Sequence, residues 1–418
     1  MEKRNLIFLT MARTTNVSSR GIYTDLLRKF RNEGFNVYIV APNERREKRP
    51  TQLVEIEGVH VLNVRTLNLQ KTSLVEKGVG QVLIEGQYKR AIRKYLKDIR
   101  FDLILYSTPP ITFPNVIRYL KEKNPDAKTY LLLKDIFPQN AVDMGMISKT
   151  GLKGWLYKFF RNKEKKLYAE SDYIGCMSPA NVNYLLKHNP EIALEKVEVA
   201  PNSIELSSPQ DTTLTEKDYC LKEKNERYYI RKKYDIPVDR PIFIYGGNLG
   251  KPQGIDYLIK CLDENKKRND CFFVVIGSGT EYPKLAEWKE KNNTACVKVM
   301  KSLPKDEYDI MVKSCDVGLI FLDHRFTIPN FPSRLLSYLE YEMPVLCATD
   351  VNSDMGKIAE ENGFGYWCES VNPTDFTLLV NKILSSDIKQ MGNKGFRFLR
   401  ENYLVDNTYT IIMNRITK

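Results

Sequence analysis

PIFIYGGNLGKPQGIDYLIKC, residues 241–261, passes from apolar to polar and back within one short stretch. The apolar run Ile242 to Tyr245 reads as a buried strand, and it stops at two glycines. A polar loop with a single cation, Lys251, follows. Gly254 then opens an amphipathic pattern with Ile255, Leu258, Ile259 and Leu262 on one side of a helix. A loop hinged on glycine lets backbone N–H groups and a helix N-terminus face an anion without Cβ interference. The stretch stands in mid-chain, at the head of a second α/β region. That position suggests a two-domain enzyme with phosphate chemistry.

Working outward, both halves alternate short apolar runs with helical patterns. NLIFLT (5–10), NVYIVAP (36–42), FDLILYSTPP (101–110), KTYLLLKD (128–135), DYIGCMS (172–178) and VEVAPNS (197–203) read as strands of the first half. CFFVVIGSG (271–279), CVKVM (296–300), DVGLIFL (316–322) and PVLCA (344–348) continue the second. Near-continuous apolar strands separated by helices point to parallel sheets covered on both faces, whose functional groups gather at the carboxyl ends of the strands. Residues 1–205 are expected to form the first domain, 206–240 a polar linker or surface excursion, and 241–392 the second domain. Residues 393–418 are expected to form a C-terminal helix that packs back on the first.

With 418 residues and 42% hydrophobic composition, two ordinary cores are affordable to the chain. Eight cysteines are scattered with no CxxC pair, which reads as free thiols in a reducing compartment. Three distant histidines argue against a histidine-based metal site. No apolar window is long enough to span a bilayer, and MEKRNLIFLTM reads as a first buried strand rather than a secretory signal. The formal net charge is +12. Residues 1–200 hold 34 Lys and Arg against 21 Asp and Glu, so the entire excess lies in the first half. Such a one-sided basic half suits an anionic lipid surface or a polyphosphate ligand as well as a solubilising role. Nucleic acid is not expected as a partner, because the basic segments lack a helix-turn-helix or RNP-like signature.

Five constellations could carry chemistry. In GGNLGKPQG (246–254), Gly246 and Gly247 would admit a diphosphate beside Lys251, or the loop is an ordinary βα turn. IGSGTEYPKL (276–285), with Gly277, either faces a nucleotide or turns tightly. In TIPNFPSRLLSYLEYEMPVL (327–346), Ser333 is a plausible N-cap, Arg334 offers a fork of donors for phosphate, and Glu340 could accept ribose hydroxyls. The alternative is a buried helix packed through Leu335, Leu336 and Leu339. In LLLKDIFPQNAVDMGM (131–146), Asp135 stands where a strand ends, positioned to orient or deprotonate a hydroxyl, or to serve as a loop carboxylate. GWLYKFFRNKEKKLY (154–168) sets Trp155, Leu156, Phe159 and Phe160 beside Lys153, Lys158, Arg161, Lys163, Lys165 and Lys166. That helix fits a membrane interface or a core-packing role, and KRAIRKYLKDIR (89–100) adds a second basic helix.

Together YGGNLGKPQGIDYLI, VVIGSGTE, NFPSRLLSYLEYEMPVL, KDIFPQ and APNSIE (200–205) resemble retaining nucleotide-sugar glycosyltransferases of the GT-B, group-4 type. Within that family the chain is similar to bacterial O-antigen, capsule and exopolysaccharide transferases. The resemblance implies two Rossmann-like domains, a donor held mainly by the second, an acceptor by the first, and transfer with retention in the cleft between them. It also implies no cofactor and no obligatory metal. By position, Lys251 and Arg334 would hold the diphosphate, with Gly247, Asn248, Gly277, Ser333, Ser337 and Glu340 lining the nucleotide and Asp135 catalytic. Asn248 replaces a usual arginine, Gln253 a usual lysine, and Pro329 and Ser337 occupy the places of two glutamates. On the acceptor side, Arg20 and Gly21 stand in for a glycine-rich loop. The expected donor is a UDP-sugar and the acceptor polyprenyl-diphosphate-linked, at the cytoplasmic face of an inner membrane. A sugar-nucleotide epimerase, a phosphorylase and an inactive scaffold are the rivals.

Overall fold

The computed structural model describes residues 3–14, 16–69, 72–151, 154–207 and 216–417, without the side chains of 74, 75, 77 and 216–224. Two compact units emerge, one of Met1–Glu205 with Tyr403–Lys418 and one of Leu206–Asn402.

The first unit runs β1 (Asn5–Leu9), α1 (Ile22–Asn32), β2 (Asn36–Glu44), β3 (Gln52–Ile56), β4 (Val59–Thr66), α2 (Leu74–Tyr95), β5 (Leu103–Ser107) and α3 (Pro114–Lys123). It continues with β6 (Lys128–Leu133), α4 (Gln139–Asp143), α5 (Gly154–Ala169), β7 (Tyr173–Cys176), α6 (Pro179–His188) and β8 (Val197–Val199). Its sheet has the order β3-β4-β2-β1-β5-β6-β7-β8, parallel except where β3 meets β4. Ile7 and Leu9 join one buried cluster while Leu6 and Phe8 join another, so successive residues of β1 feed opposite faces. This double burial is why the strands read as unbroken apolar runs.

The second unit runs α7 (Glu216–Lys233), β9 (Ile242–Asn248), α8 (Ile255–Asn265), β10 (Phe272–Ser278), α9 (Tyr282–Lys291), β11 (Val297–Lys301), α10 (Lys305–Lys313) and β12 (Val317–Phe321). Then follow α11 (Arg334–Glu340), β13 (Val345–Thr349), α12 (Met355–Glu361), β14 (Gly365–Glu369), α13 (Pro373–Leu384) and α14 (Ile388–Asn402). The sheet order β11-β10-β9-β12-β13-β14 is that of a doubly wound Rossmann sheet, parallel throughout. The strand order reverses between β9 and β12, so a ligand crevice is expected at their carboxyl ends.

Several expectations need correction. Residues 216–233 are not linker but helix α7, which packs on α10. Its Ile230 is buried, and buried Arg231 donates to the Ser314 carbonyl at 2.9 Å and pairs with Asp316 at 2.8 Å. A polar composition hid this helix: among its described side chains, 225–233, only Ile230 and Arg231 are buried. Residues 208–215 lie outside the described residues. The C-terminal stretch is two helices rather than one: α14 stays with the second unit, while α15 (Val405–Ile416) belongs to the first.

The aromatic face of 154–168 is mostly core. Phe160 is buried, and Leu156 and Phe159 pack against the first unit's cluster. Trp155 remains 67% exposed, and Lys153 lies outside the described residues. The basic segment at 89–100 continues α2 as far as Tyr95, with Ala91, Ile92 and Leu96 buried. Seven free cysteines are buried, and the side chain of Cys220 lies outside the description.

Candidate active site

In the second unit β9 pairs with β10 along its whole length, but with β12 over only Val317↔Phe243 and Gly318↔Ile244. Beyond these pairs the two strands part. Tyr338 of α11 fills the split, its hydroxyl placed to donate to the Ile244 carbonyl at 3.1 Å and the Leu319 carbonyl at 3.3 Å. Gly318 is required there, since a Cβ would lie 2.3 Å from the Tyr338 ring.

The same split holds Arg334. Its guanidinium lies 4.2 Å from the centroid of the Tyr245 ring, and the position of a Cβ on Gly247 would be 3.5 Å from its Nη2. The Nη1 is sealed from solvent and has no hydrogen-bond partner. Among the described residues Arg334 has no carboxylate partner. Its polar neighbours are the phenols of Tyr245, Tyr308 and Tyr338. Burial pushes the Tyr245 and Tyr338 phenols up and Tyr308 to about 12, so none supplies a negative charge near pH 7. A buried cation with an orphaned donor is costly to hold and is the arrangement an anionic ligand completes.

The glycine loop is pinned beside it. Gly247 has φ +124, which disfavours any other residue, and Gly254 at φ +58 joins the short turn Lys251–Gln253 to α8. The Asp323 N–H donates to the Pro252 carbonyl at 3.0 Å, tying the loop to the end of β12. Lys251 is exposed at the loop tip and has no ion-pair partner among the described residues.

The other expected donor residues fare differently. The Asn248 amide is spent within the loop, donating to Gln253 Oε1 at 2.8 Å. Gly277 is explained by backbone packing, because a Cβ there would lie 2.0 Å from the Gly247 carbonyl oxygen. Ser333 already has helical φ and ψ, and its hydroxyl makes no capping bond. Ser333 and Ser337 both sit on the exposed side of α11, with Leu335, Leu336, Tyr338 and Leu339 on its buried side. Glu340, at the opposite end of α11 from Arg334, accepts from the Ser207 N–H at 2.8 Å and the Ser207 hydroxyl at 2.9 Å. Its Oε1 is engaged by the chain entering this unit.

In the first unit Asp135 does lie just past the carboxyl end of β6. Its Oδ1 accepts from Asn140 Nδ2 at 2.6 Å, and its backbone is clamped by Thr108, whose Oγ1 accepts from the Asp135 N–H at 3.1 Å. The neighbouring Lys134 donates to the Ala200 carbonyl at 3.0 Å, and burial depresses its ammonium to about 7. The expected acceptor groups near α1 are engaged elsewhere. The Gly21 N–H donates to Asp25 Oδ1 at 3.1 Å, and Arg20 Nη2 donates to the Glu205 carbonyl at 2.8 Å. Buried Asp25 organises this corner, accepting from the Gly21 and Glu205 N–H groups and pairing with Arg28.

Residues 226–396 match the model of the glycosyl transferases group 1, and residues 22–208 that of glycosyltransferase family 4. The chain belongs to the GT-B glycosyltransferases of this group 1/4 type. It is 23% identical over 339 residues to a probable glycosyltransferase, WbjE, of Pseudomonas aeruginosa, covering 80% of this chain and 78% of that one. It is 21% identical over 237 residues to WcaI of Escherichia coli K12, assigned as a colanic acid biosynthesis glycosyl transferase, covering 56% and 54%. The fold matches the solved structure of Anabaena HepE in complex with UDP at TM-score 0.65 and 11% identity, covering 99% of each chain.

In this glycosyltransferase, sequence reading missed Tyr245, Tyr308 and Tyr338 around Arg334, and Asn140 beside Asp135. The tyrosines come from β9, α10 and α11, so no local motif gathers them. Asn140, by contrast, stands within KDIFPQN, five residues from the aspartate it meets.

Proposed function

We propose that this chain transfers a sugar from a nucleotide diphosphate sugar, a UDP-sugar, to a lipid-linked oligosaccharide acceptor with retention, in bacterial surface polysaccharide biosynthesis. The observation that carries the reading is Arg334, a buried guanidinium without a carboxylate whose Nη1 is unpaired beside Gly247. The relatives support it by kind: WcaI is assigned to colanic acid biosynthesis, and HepE is seen with UDP.

In this reading Arg334 and Lys251 take up the charge that develops on the departing diphosphate, with no metal required. Donors aimed at developing charge in a desolvated site typically contribute on the order of 10²–10³ in rate each. The acceptor hydroxyl attacks from the face the diphosphate leaves, and a diphosphate oxygen takes its proton. Asp135, oriented by Asn140, is the carboxylate proposed to position an acceptor hydroxyl.

The proposed partner surface is the anionic cytoplasmic face of a membrane, and exposed residues of α2 support it. Val79, Val82 and Leu83 are 47%, 44% and 47% exposed. Arg90, Arg93 and Lys94 follow on the exposed side without carboxylate partners among the described residues. An apolar stripe running into unpaired cations suits an interfacial helix. No helix among the described residues is long and apolar enough to cross a membrane.

The test is transfer from UDP-, GDP- and ADP-sugars to a polyprenyl-diphosphate-linked acceptor, with product anomeric configuration read by NMR. Retained transfer from a UDP-sugar is expected, lost in Lys251→Ala with Arg334→Met. UDP release without transfer, or full activity in that double variant, overturns the proposal.

A further inference from the structure

Tyr245 touches both halves of the donor site. Its ring carries the Arg334 guanidinium at 4.2 Å, and its hydroxyl donates to the Asn248 carbonyl of the glycine loop at 2.8 Å. The side chain is fully buried on β9, where the strand has already parted from β12. Behind it Phe321 closes the far side, with ring centroids 5.9 Å apart. Gly246, the next residue, is covered by Tyr308, whose hydroxyl would lie 2.0 Å from a Cβ.

We propose that Tyr245 is the positioning residue of the donor site: it fixes the Arg334 fork and the glycine loop relative to each other so that both meet one diphosphate. This rests on the nucleotide-sugar reading above. A guanidinium stacked on an aromatic face keeps its in-plane N–H groups free for an anion. A carboxylate partner would hold it equally well but would consume those donors and repel phosphate. The ring therefore holds the cation without neutralising it. The hydroxyl supplies what a phenylalanine would lack, a tie to the loop backbone next to Gly247. A purely structural aromatic would need neither contact.

The experiment is a double-mutant cycle on UDP binding by calorimetry, with the full chain and with ligand-free melting temperatures recorded in parallel. Tyr245→Phe keeps the stack and loses the loop bond, so the UDP Kd is expected to rise about three- to tenfold. Tyr245→Leu loses both, and a rise of about 10- to 100-fold is expected. In an Arg334→Met background the Leu substitution is expected to change Kd by no more than the loop-bond share, about three- to tenfold, because the group the ring stacks on is gone. An equal loss in both backgrounds, or no loss from Leu, overturns the proposal. If Tyr245→Leu fails to fold, Tyr245→Met, which also loses both contacts, decides in the two backgrounds by the same criterion. Wild-type protein that binds neither UDP nor pyrophosphate overturns the nucleotide-sugar reading, and this assignment with it.

Discussion

Replacing Arg334 by methionine separates function from stability, because the two respond in opposite directions. The guanidinium offers its unpaired Nη1 and the neighbouring Nη2, which faces Gly247. Each charge-assisted hydrogen bond to a phosphate oxygen contributes about 1.5–3 kcal/mol. Two such bonds, with incomplete additivity, give a loss of about 3 kcal/mol, or roughly 100-fold in the Kd of UDP. In the ligand-free protein the same change removes a cation–π contact of about 0.5–2 kcal/mol. It also relieves a buried donor left unpaired, a cost of about 1–3 kcal/mol. The central values leave a net gain of just under about 1 kcal/mol, so a melting temperature raised by about 2–3 °C is expected for a unit of this size. Arg334→Lys keeps the charge but not the fork or the stack, and an intermediate, roughly tenfold loss is expected. Calorimetric titration with UDP and a thermal melt without ligand read the two effects. A variant that melts several degrees lower yet binds UDP as wild type would refute the reasoning, since Arg334 would then be a structural residue.

Lys251→Ala should weaken UDP about tenfold at low salt, less at high salt, and leave the melting temperature unchanged, because the side chain is exposed and unpaired. Titrations at two ionic strengths check this. Asp135→Asn should leave UDP affinity intact and lower kcat by about 100-fold or more, measured at saturating acceptor. Lys134 makes stability depend on pH: folding depresses its ammonium to about 7 from 10.5, so the unfolded chain binds more protons between those values. Wild-type stability should therefore rise relative to Lys134→Met by about 2 kcal/mol from pH 7 to pH 9, with the full desolvation cost present below pH 7. Denaturant melts of both proteins at the two pH values test the sign.

Much of the fold was legible because both faces of each sheet are covered. Runs such as NLIFLT and PIFIY are apolar at every position, and glycines mark where β9 ends and α8 begins. The linker reading of 206–240 failed for a related reason. Of the described side chains of α7, residues 225–233, only Ile230 and Arg231 are buried, and Arg231 is an arginine held by the Ser314 carbonyl and Asp316. In the site, Arg334 and the 246–254 loop were visible as residue types in a local motif. What surrounds Arg334 was not, because Tyr245, Tyr308 and Tyr338 are brought together only by tertiary packing. Gly277 shows the converse. A glycine in a Gly-Ser-Gly turn suggests ligand approach, but here the approaching atom is the carbonyl of Gly247. Glu340 had the right chemistry for a ribose ligand, and only the register of α11 and the path of Ser207 reveal that its Oε1 is already engaged.

The first unit is finished by a piece of chain that is made after the whole of the second. Helix α15 lies against α1, with Tyr409 4.9 Å from the Phe30 ring, Ile412 buried, and Arg415 paired to Glu198 of β8 at 2.8 Å. All of Leu206–Asn402 is synthesised between β8 and that helix. At about 5–20 residues per second, the ribosome leaves the N-terminal sheet without its closing helix for on the order of 10–40 s. During that interval the side of α1 around Phe30 lacks the cover that α15 gives it, and by the end of it the second unit is complete. The order of assembly in the cell is therefore the reverse of the order in the sequence: the unit that begins second is completed first.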